Sequence, residues 1–378
     1  MKKLVTILFV LMLAVGVGAE ETFEREVPAQ EGGLIEFDLD AGGSINMTGW
    51  DKDSVWVLAT VSGRDDDIIQ VTVDERDGRV LVKSKFTERR RQKETYIDIE
   101  VRVPSVFNLK VKSMGGGLHV DGVEGTFSGT TMGGRIQLNN IKGELDLQTM
   151  GGRIELTNSD VDGKVTTMGG EALVEDVFGD VKVTSMGGEV TRRRVTRTNG
   201  DSIGEEVHID TMGGDIDVSD APRGAEVHTM GGDITIDSVR EYVKAETMGG
   251  DIEISEVDGW VKATTMAGDV KVRVIGNHDV ELQSMHGEVR LVIPEGDDLD
   301  IDVELAYTKN SKRDYSIISD FPINIQETDD WDYEHGSPRK TISGTSSGGG
   351  NRIVIRTVNG NVYLTRLSLI HISEPTRQ

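Results

Sequence analysis

The sequence has no cysteine, little proline and few aromatic residues. Of its 378 residues 7 are proline, and aromatic residues make up 5%. Without cysteine no disulfide can form, so packing and hydrogen bonds alone must stabilise the fold. The shortage of aromatic side chains argues against a thick globular core. The 46 glycines instead suit many short strands joined by tight turns.

Positive charge and long hydrophobic runs are also scarce. The formal net charge is −25, a field that repels nucleic acid, so nucleic acid is excluded as a partner. The apolar run from Leu4 to Val17 follows Lys2 and Lys3 and is shorter than the ~20 residues of a membrane span. We therefore predict that residues 1–19 are a cleaved signal peptide. The mature protein is expected to be periplasmic, cell-surface or extracellular, with no transmembrane span.

What the sequence does contain is a repeat of 18 residues with the signature Thr-Met-Gly-Gly. Each motif methionine follows Ser or Thr, and Gly comes two places after it. The spacing between successive motif methionines is 26 residues after Met186 and 19 residues after Met266. Such periodicity is typical of a repeat architecture. The ten motif methionines are Met114, Met132, Met150, Met168, Met186, Met212, Met230, Met248, Met266 and Met285.

Each repeat contains two short runs in which apolar and polar residues alternate. Around Met248, Val243 and Ala245 precede the motif, and Ile252 and Ile254 follow it. This alternation predicts half-buried strands. The Gly-Gly pair is expected to form a corner where side chains would clash and where positive φ costs little. A second corner is expected at Gly125, Gly143, Gly179 and Gly259. An antiparallel meander would instead need a hairpin turn at every reversal.

The sequence therefore predicts an all-β fold, a single elongated β-solenoid of 18-residue coils with two short strands per coil. Residues 113–295 are predicted to form the regular solenoid. Residues 20–112 and 296–366 are predicted N-terminal and C-terminal β segments that cap it, with weaker motif copies at residues 40–47 and 357–364. Residues 367–378 resemble a translated sequencing adapter, and we predict that they are an artefact.

Four pieces of the chain carry a resemblance to a known family. They are Gly43-Ser44-Ile45, Val101-Arg102-Val103-Pro104, the Met-Gly-Gly series and Asn359-Gly360-Asn361-Val362. Together they resemble the bacterial "putative adhesin" domain family of unknown function, over about residues 30 to 366. The resemblance implies a β-solenoid that is exported or associated with the cell envelope. It implies no catalytic residues.

Stacking would turn each motif position into a column of like side chains. We predict that the Ser and Thr hydroxyls bind backbone groups at the corner and that the methionines fill an edge of the core. The alternative for the methionines is an exposed stripe that binds a hydrophobic partner.

The position three after methionine is acidic in the second half of the repeat array. Four successive copies carry Asp215, Asp233, Asp251 and Asp269. Stacked carboxylates repel one another unless solvent or a cation screens them. A solvated acidic face is one interpretation, and a calcium site formed by these four residues is the other. Calcium is the only candidate cofactor, although the glycine-rich nonapeptide of calcium-binding β-rolls is absent.

An arginine cluster follows Met186, where the repeat step is longest. Arg192, Arg193, Arg194 and Arg197 are expected in an insertion loop, because insertions in solenoids map to loops on one face. The loop is either simply solvated or a binding site for anionic envelope polymers.

These patterns favour a non-enzymatic exported protein of the envelope or cell surface with a structural, adhesin-like binding role. Its predicted partners are an envelope polymer, a surface protein or a second copy of the chain. Two alternatives stay open, a polysaccharide-active β-helix enzyme and a calcium-stabilised rod. A cleft that combines Asp with Arg or Lys across three or more coils would favour the enzyme.

Overall fold

The computed structural model describes residues 21–63, 69–76, 78–86, 95–179, 181–193, 206–295, 299–310, 314–332 and 338–367. These residues form strands, turns and bends, and no helix occurs among them. The predicted signal peptide, Arg194, Arg197 and residues 368–378 lie outside this set. No helix that is long and apolar enough to cross a membrane is present in the described ranges. The chain divides into two compact units, Met1–Val181 and Lys182–Gln378.

Thirty strands make up the described structure. Those of the first unit are β1 (Glu21–Pro28), β2 (Leu34–Leu39), β3 (Gly42–Trp50), β4 (Ser54–Gly63), β5 (Ile69–Arg76), β6 (Arg79–Phe86), β7 (Thr95–Pro104), β8 (Asn108–Ser113), β9 (Leu118–Asp121), β10 (Glu124–Thr131), β11 (Ile136–Asn139), β12 (Lys142–Thr149), β13 (Ile154–Thr167) and β14 (Ala172–Phe178). Those that follow are β15 (Val181–Ser185), β16 (Val190–Arg193), β17 (Val207–Thr211), β18 (Ile216–Ala221), β19 (Ala225–His228), β20 (Ile234–Glu246), β21 (Ile252–Thr265), β22 (Val270–Val274), β23 (Val280–Ser284), β24 (Val289–Ile293), β25 (Leu299–Thr308), β26 (Ile317–Ser319), β27 (Asn324–Glu327), β28 (Arg339–Ser347), β29 (Asn351–Val358) and β30 (Val362–Arg366).

Within each unit the repeats stack as parallel coils in register. In the first unit Leu145 pairs with Phe127 on one side and with Gly163 on the other, and each step is one repeat. In the second unit Val261 pairs with Val243 and with Val280. Each regular coil supplies a strand before the motif and one after it. This confirms the predicted β-solenoid coil and excludes the meander.

The core of each unit is formed by the inward residues of the alternating strands. Along β23 the burial alternates, with Val280, Leu282 and Ser284 buried and the residues between them partly exposed. Equivalent Val, Ile, Leu and Ala side chains stack above one another and are almost completely inaccessible. The core is thin, and burial of these side chains at about 25 cal/mol per Å² supplies the main stabilising term.

Close contact between coils explains the second glycine of the motif, and at Gly116 the backbone also has a positive φ of 125°. A Cβ atom on Gly250 would lie 2.0 Å from the carbonyl oxygen of Gly232, whereas one on Gly249 would lie 3.6 Å from its nearest neighbour. Neither glycine of the pair has a positive φ. The predicted clash of side chains is therefore confirmed for the second glycine, whereas the prediction of positive φ is wrong for this copy. Only the second glycine is sterically required, which is why Ala267 and His286 can replace the first.

The predicted second corner does adopt left-handed backbone in the first unit. Gly125 and Gly143 have φ of 158° and 120°. Three residues earlier in their own coils, Gly122 and Asn140 have φ of 68° and 51°. Glycine and asparagine are the residues that enter this region at least cost, so the local sequence suits the bend.

Both terminal segments contribute coils of the same kind. Ile45 in β3 pairs in parallel with Leu118, and Val362 in β30 pairs in parallel with Val289. The weak motif copies predicted at each end are therefore real coils. In the sequence, the segments that separate these coils from the regular array add antiparallel strand pairs, such as β4 with β7 and β25 with β28. Added antiparallel strands are one way to cover the exposed edge of a coil stack.

Candidate functional site

An aromatic stack lies on the outer face of the second unit. Tyr242 and Trp260 occupy equivalent positions of adjacent coils, in β20 and β21. Their rings are 5.1 Å apart between centroids and only 13° from parallel. Gly224 holds the preceding coil position, where a Cβ atom would lie 2.3 Å from the Tyr242 ring. A glycine there leaves room for the tyrosine ring to lie flat.

A groove begins where the aromatic stack ends. Tyr242 covers one face of Trp260, and the next coil places Asp279 at this position, with its carbonyl oxygen accepting the Val261 N–H at 3.0 Å. The aspartate side chain is much smaller than an indole, so the space beside Trp260 stays open. The groove has a volume of about 510 Å³, and Trp260 remains 45% exposed. The main polar residues that line it are Lys262, Asn277, His278, Asp279, Glu281 and Arg352.

The polar walls of the groove come from three successive coil positions. Asp279 Oδ1 accepts the backbone N–H of Arg352 at 2.8 Å. Lys262 Nζ lies 3.5 Å from Glu281 Oε1, and His278 Nε2 lies 3.2 Å from Asp258 Oδ1. Both signs of charge therefore face one shallow cavity next to a flat apolar ring.

This combination suits a ligand that is part apolar and part hydroxylated. The C–H face of a sugar ring can pack on the open face of Trp260, while its hydroxyls meet charged donors and acceptors. The groove also meets the condition set above for the enzyme alternative, because it combines Asp279 with Lys262 and Arg352 across three coils. The sequence did not indicate this site, since none of these residues belongs to the repeated motif.

The motif methionines lie on the outside of both units. Their side chains are 37–56% exposed in the first unit and 37–49% exposed in the second. The prediction that they fill an edge of the core is wrong. Along each strand the preceding Thr or Ser points inward, so methionine, one residue further, must point outward. The alternation itself was the signal that could have predicted this exposure.

The Ser and Thr hydroxyls bind the corner backbone, as predicted. Thr247 Oγ1 donates to the carbonyl oxygen of Gly232 in the preceding coil at 3.0 Å and accepts the N–H of Gly250 at 3.2 Å. Thr149 makes the equivalent bonds to Gly134 and Gly152 in the first unit. The hydroxyl column is buried. Each side chain therefore provides hydrogen-bond partners for backbone groups that water cannot reach.

The four predicted aspartates form a column in the second unit, and each caps the next coil. One carboxylate oxygen of Asp215, Asp233 and Asp251 accepts the N–H of the next aspartate at 2.7–2.9 Å. Asp269 accepts the N–H of Glu288 at 2.7 Å. These bonds offset the repulsion between stacked charges. In the described residues no group of three or more His, Asp or Glu side chains is arranged to hold a metal ion. The calcium site stays a prediction.

The predicted arginine cluster is only partly described. Arg192 and Arg193 lie in β16 and not in a loop, because Arg192 pairs in register with Val218. Arg192 is only 6% exposed. It lies two residues after the buried Val190 and pairs with the buried Val218, so its side chain is on the inward face of the strand. Arg193 points outward, with its Nη2 3.8 Å from Asp217 Oδ2. A binding role for the cluster stays a prediction.

A sequence profile described as Toastrack DUF4097 matches residues 176–365, half of the chain. No curated protein matches the sequence. Several solved structures resemble it at low identity, including the following three. A putative cell adhesion protein from Clostridium sporogenes is 8% identical, covering 92% of this chain and 100% of its own, with a TM-score of 0.19. Putative adhesins from Parabacteroides distasonis and Parabacteroides merdae are 14% and 12% identical. They cover 71% and 72% of this chain and 98% and 96% of their own, with TM-scores of 0.29 and 0.26.

Proposed function

The chain belongs to the Toastrack DUF4097 family, and from that premise we propose that it is an exported, non-enzymatic binding protein of the cell envelope or cell surface. Its ligand is an oligosaccharide segment of an envelope polymer, and the groove beside Trp260 holds that segment. The open indole face at the end of the aromatic stack is the observation that carries this proposal. The predicted signal peptide supports export.

The exposed part of Trp260 is large enough to matter for affinity. At 45% exposure it offers roughly 110 Å² of a side chain that can bury up to about 250 Å². Covering half of that area contributes about 1.4 kcal/mol at about 25 cal/mol per Å², which is about tenfold in affinity. Arg352 adds hydrogen-bond donors for hydroxyl or carboxylate groups of the sugar.

The test is a binding titration against purified envelope and capsular oligosaccharides, followed by calorimetry. We expect at least one to bind, and Trp260→Ala to weaken that binding tenfold or more. Tyr96→Ala, which removes an exposed aromatic side chain from the first unit, is the matched control and should bind like the wild type. Binding that survives Trp260→Ala unchanged contradicts the groove as the site. If only a surface protein or a second copy of the chain binds, the glycan proposal is wrong.

A second candidate function is cleavage of polysaccharide in the same groove. The observation that favours it is the placement of Asp279 and Glu281 on the same outward face of the chain, two residues apart, with Lys262 and Arg352 beside them. Pairs of carboxylates carry out glycoside hydrolysis. Incubation with polysaccharides, followed by a reducing-end assay, separates the two functions. Cleavage that disappears in Asp279→Asn and Glu281→Gln would replace the binding proposal with the enzymatic one.

A further inference from the structure

The methionine column has no structural role in the described fold that would require methionine. The side chains point outward, while the inward positions beside them already fill the core with Val, Ile, Leu and Ala. Outward positions elsewhere in the coils are mostly charged or hydroxylated. Nevertheless all ten motif copies carry methionine, and only three other methionines occur in the chain. The property that methionine adds at an exposed position is its soft, polarizable thioether sulfur.

Parallel register places these thioethers directly beside one another within each unit. The strand before the motif is in register, with Ser284 opposite Thr265, and the Met285 N–H donates to the Thr265 carbonyl oxygen at 3.1 Å. The glycine after the motif is also in register, because the second glycines of adjacent coils are in contact. Equivalent atoms of adjacent parallel strands are about 4.8 Å apart. The Cα atoms of consecutive methionines are therefore about that far apart, and side chains in the same rotamer hold their sulfurs at about the same spacing.

We propose that pairs of consecutive methionines in each column bind a soft monovalent cation, Cu(I) or Ag(I). Thioether ligands select Cu(I) over hard cations. A zinc–thiolate bond is about 2.3 Å long. At a similar Cu(I)–thioether distance, one ion bridging two sulfurs linearly would span about 4.6 Å, close to the coil spacing. The ion needs no change in the backbone. Each methionine is exposed, so the site is open to solvent and its side chains can rotate toward the ion.

The surroundings of the column favour a cation. The whole chain carries −25, and in the second unit the aspartate column lies three residues further along each coil. The neutral thioethers cannot balance the charge of a bound ion, whereas these carboxylates can do so through the field they create. With no cysteine in the sequence, the methionines are its softest ligands, and no thiolate competes with them for the ion.

The test compares variants that keep the same number of column methionines but differ in whether the remaining ones lie on adjacent coils. In a background with the first-unit column replaced by leucine, two triple variants of the second-unit column are compared. One removes alternate members, Met212→Leu, Met248→Leu and Met285→Leu. The other removes neighbours, Met186→Leu, Met212→Leu and Met230→Leu. Both retain three methionines, but only the second retains adjacent ones. Leucine preserves volume and the positions are exposed, so the fold should be kept, which circular dichroism would verify.

Binding is measured by calorimetry with Ag(I) in chloride-free buffer, and with Cu(I) without oxygen against a colorimetric Cu(I) chelator. The background variant should bind about one ion per two methionines of the column. The variant with neighbours removed should keep at least one site, and the alternate variant should lose all of them. Calcium and zinc should show no binding that depends on methionine. Equal binding by the two triple variants, or no Ag(I) or Cu(I) binding by the background variant, would overturn the proposal.

Discussion

Replacement of Gly250 by alanine tests the close packing of adjacent coils. The new Cβ atom would lie 2.0 Å from the carbonyl oxygen of Gly232, and ordinary contact begins at 3.4 Å. The two coils must therefore separate locally by about 1.4 Å. Three hydrogen bonds join them at this point. They are Thr247 Oγ1 to Gly232 at 3.0 Å, the Asp251 N–H to Asp233 at 2.8 Å and the Ile234 N–H to Asp251 at 2.8 Å.

The expected cost follows from these contacts. Loss of three hydrogen bonds at about 1 kcal/mol each, with about 1–2 kcal/mol of overpacking strain, lowers the free energy of unfolding by about 4–5 kcal/mol. Gly249→Ala is the matched control. Its nearest neighbour would be 3.6 Å away, so we expect no loss and a gain of up to about 1 kcal/mol from reduced freedom of the unfolded chain.

Urea unfolding followed by circular dichroism measures both variants. The first transition is compared, because repeat arrays can unfold in more than one step. If the free energies of unfolding of Gly250→Ala and Gly249→Ala agree within about 0.5 kcal/mol, contact between coils is not the reason for the second glycine.

Four further predictions have defined outcomes. Thr247→Val should lower the free energy of unfolding by about 1–3 kcal/mol by leaving buried backbone groups unpaired, whereas Thr264→Val, at a partly exposed position, should change urea stability little. Asp251→Asn keeps the acceptor that caps the next coil and should preserve the melting temperature, whereas Asp251→Ala should lower it. Equal melting temperatures for the wild type in calcium and in chelator would rule out the calcium site. A hydrogen bond to Glu327 raises the pKa of Tyr307 from 10.0 to about 12. Between these pH values the folded protein keeps the phenol proton that the unfolded chain loses. The free energy of unfolding should therefore fall as the pH rises from about 10 to about 12. Glu327→Gln should lower that pKa in an ultraviolet titration.

The coil architecture could be predicted because its determinants are local and repeated. The 18-residue spacing and the period-2 alternation identified the strands, and even the weak copies at Ile45 and Val362 pair as expected. The apolar character of methionine predicts a buried position, whereas the alternation along the strand decides which way the side chain points. Extending that alternation from Ala245 through Thr247 places Met248 outside. The same rule places Arg192, two residues after Val190, on the inward side.

The groove could not be predicted because its residues are brought together by non-repeated parts of the fold. Trp260 lies outside the repeated motif, and nothing in the sequence distinguishes it from other exposed residues. Arg352 is 73 residues from Asp279 in the sequence, and the two lie side by side only because β29 pairs with β23. No periodicity in the sequence indicates that pairing. By contrast, the Gly-Gly corner carried a usable signal, since the replacements Ala267 and His286 both fall on the first glycine.

Disulfide formation between introduced cysteines tests the stacked, outward-facing methionines most directly, because the chain has no cysteine of its own. In Met230→Cys/Met248→Cys the two Cα atoms should lie about 4.8 Å apart, within the range of about 4.4–6.8 Å that a disulfide needs. In the control, Met230→Cys/Thr247→Cys, the second side chain points into the core. We predict rapid oxidation of the first pair, with two thiols lost per chain, and free thiols in the control. A disulfide in the control but not in the methionine pair would contradict the parallel, in-register coil.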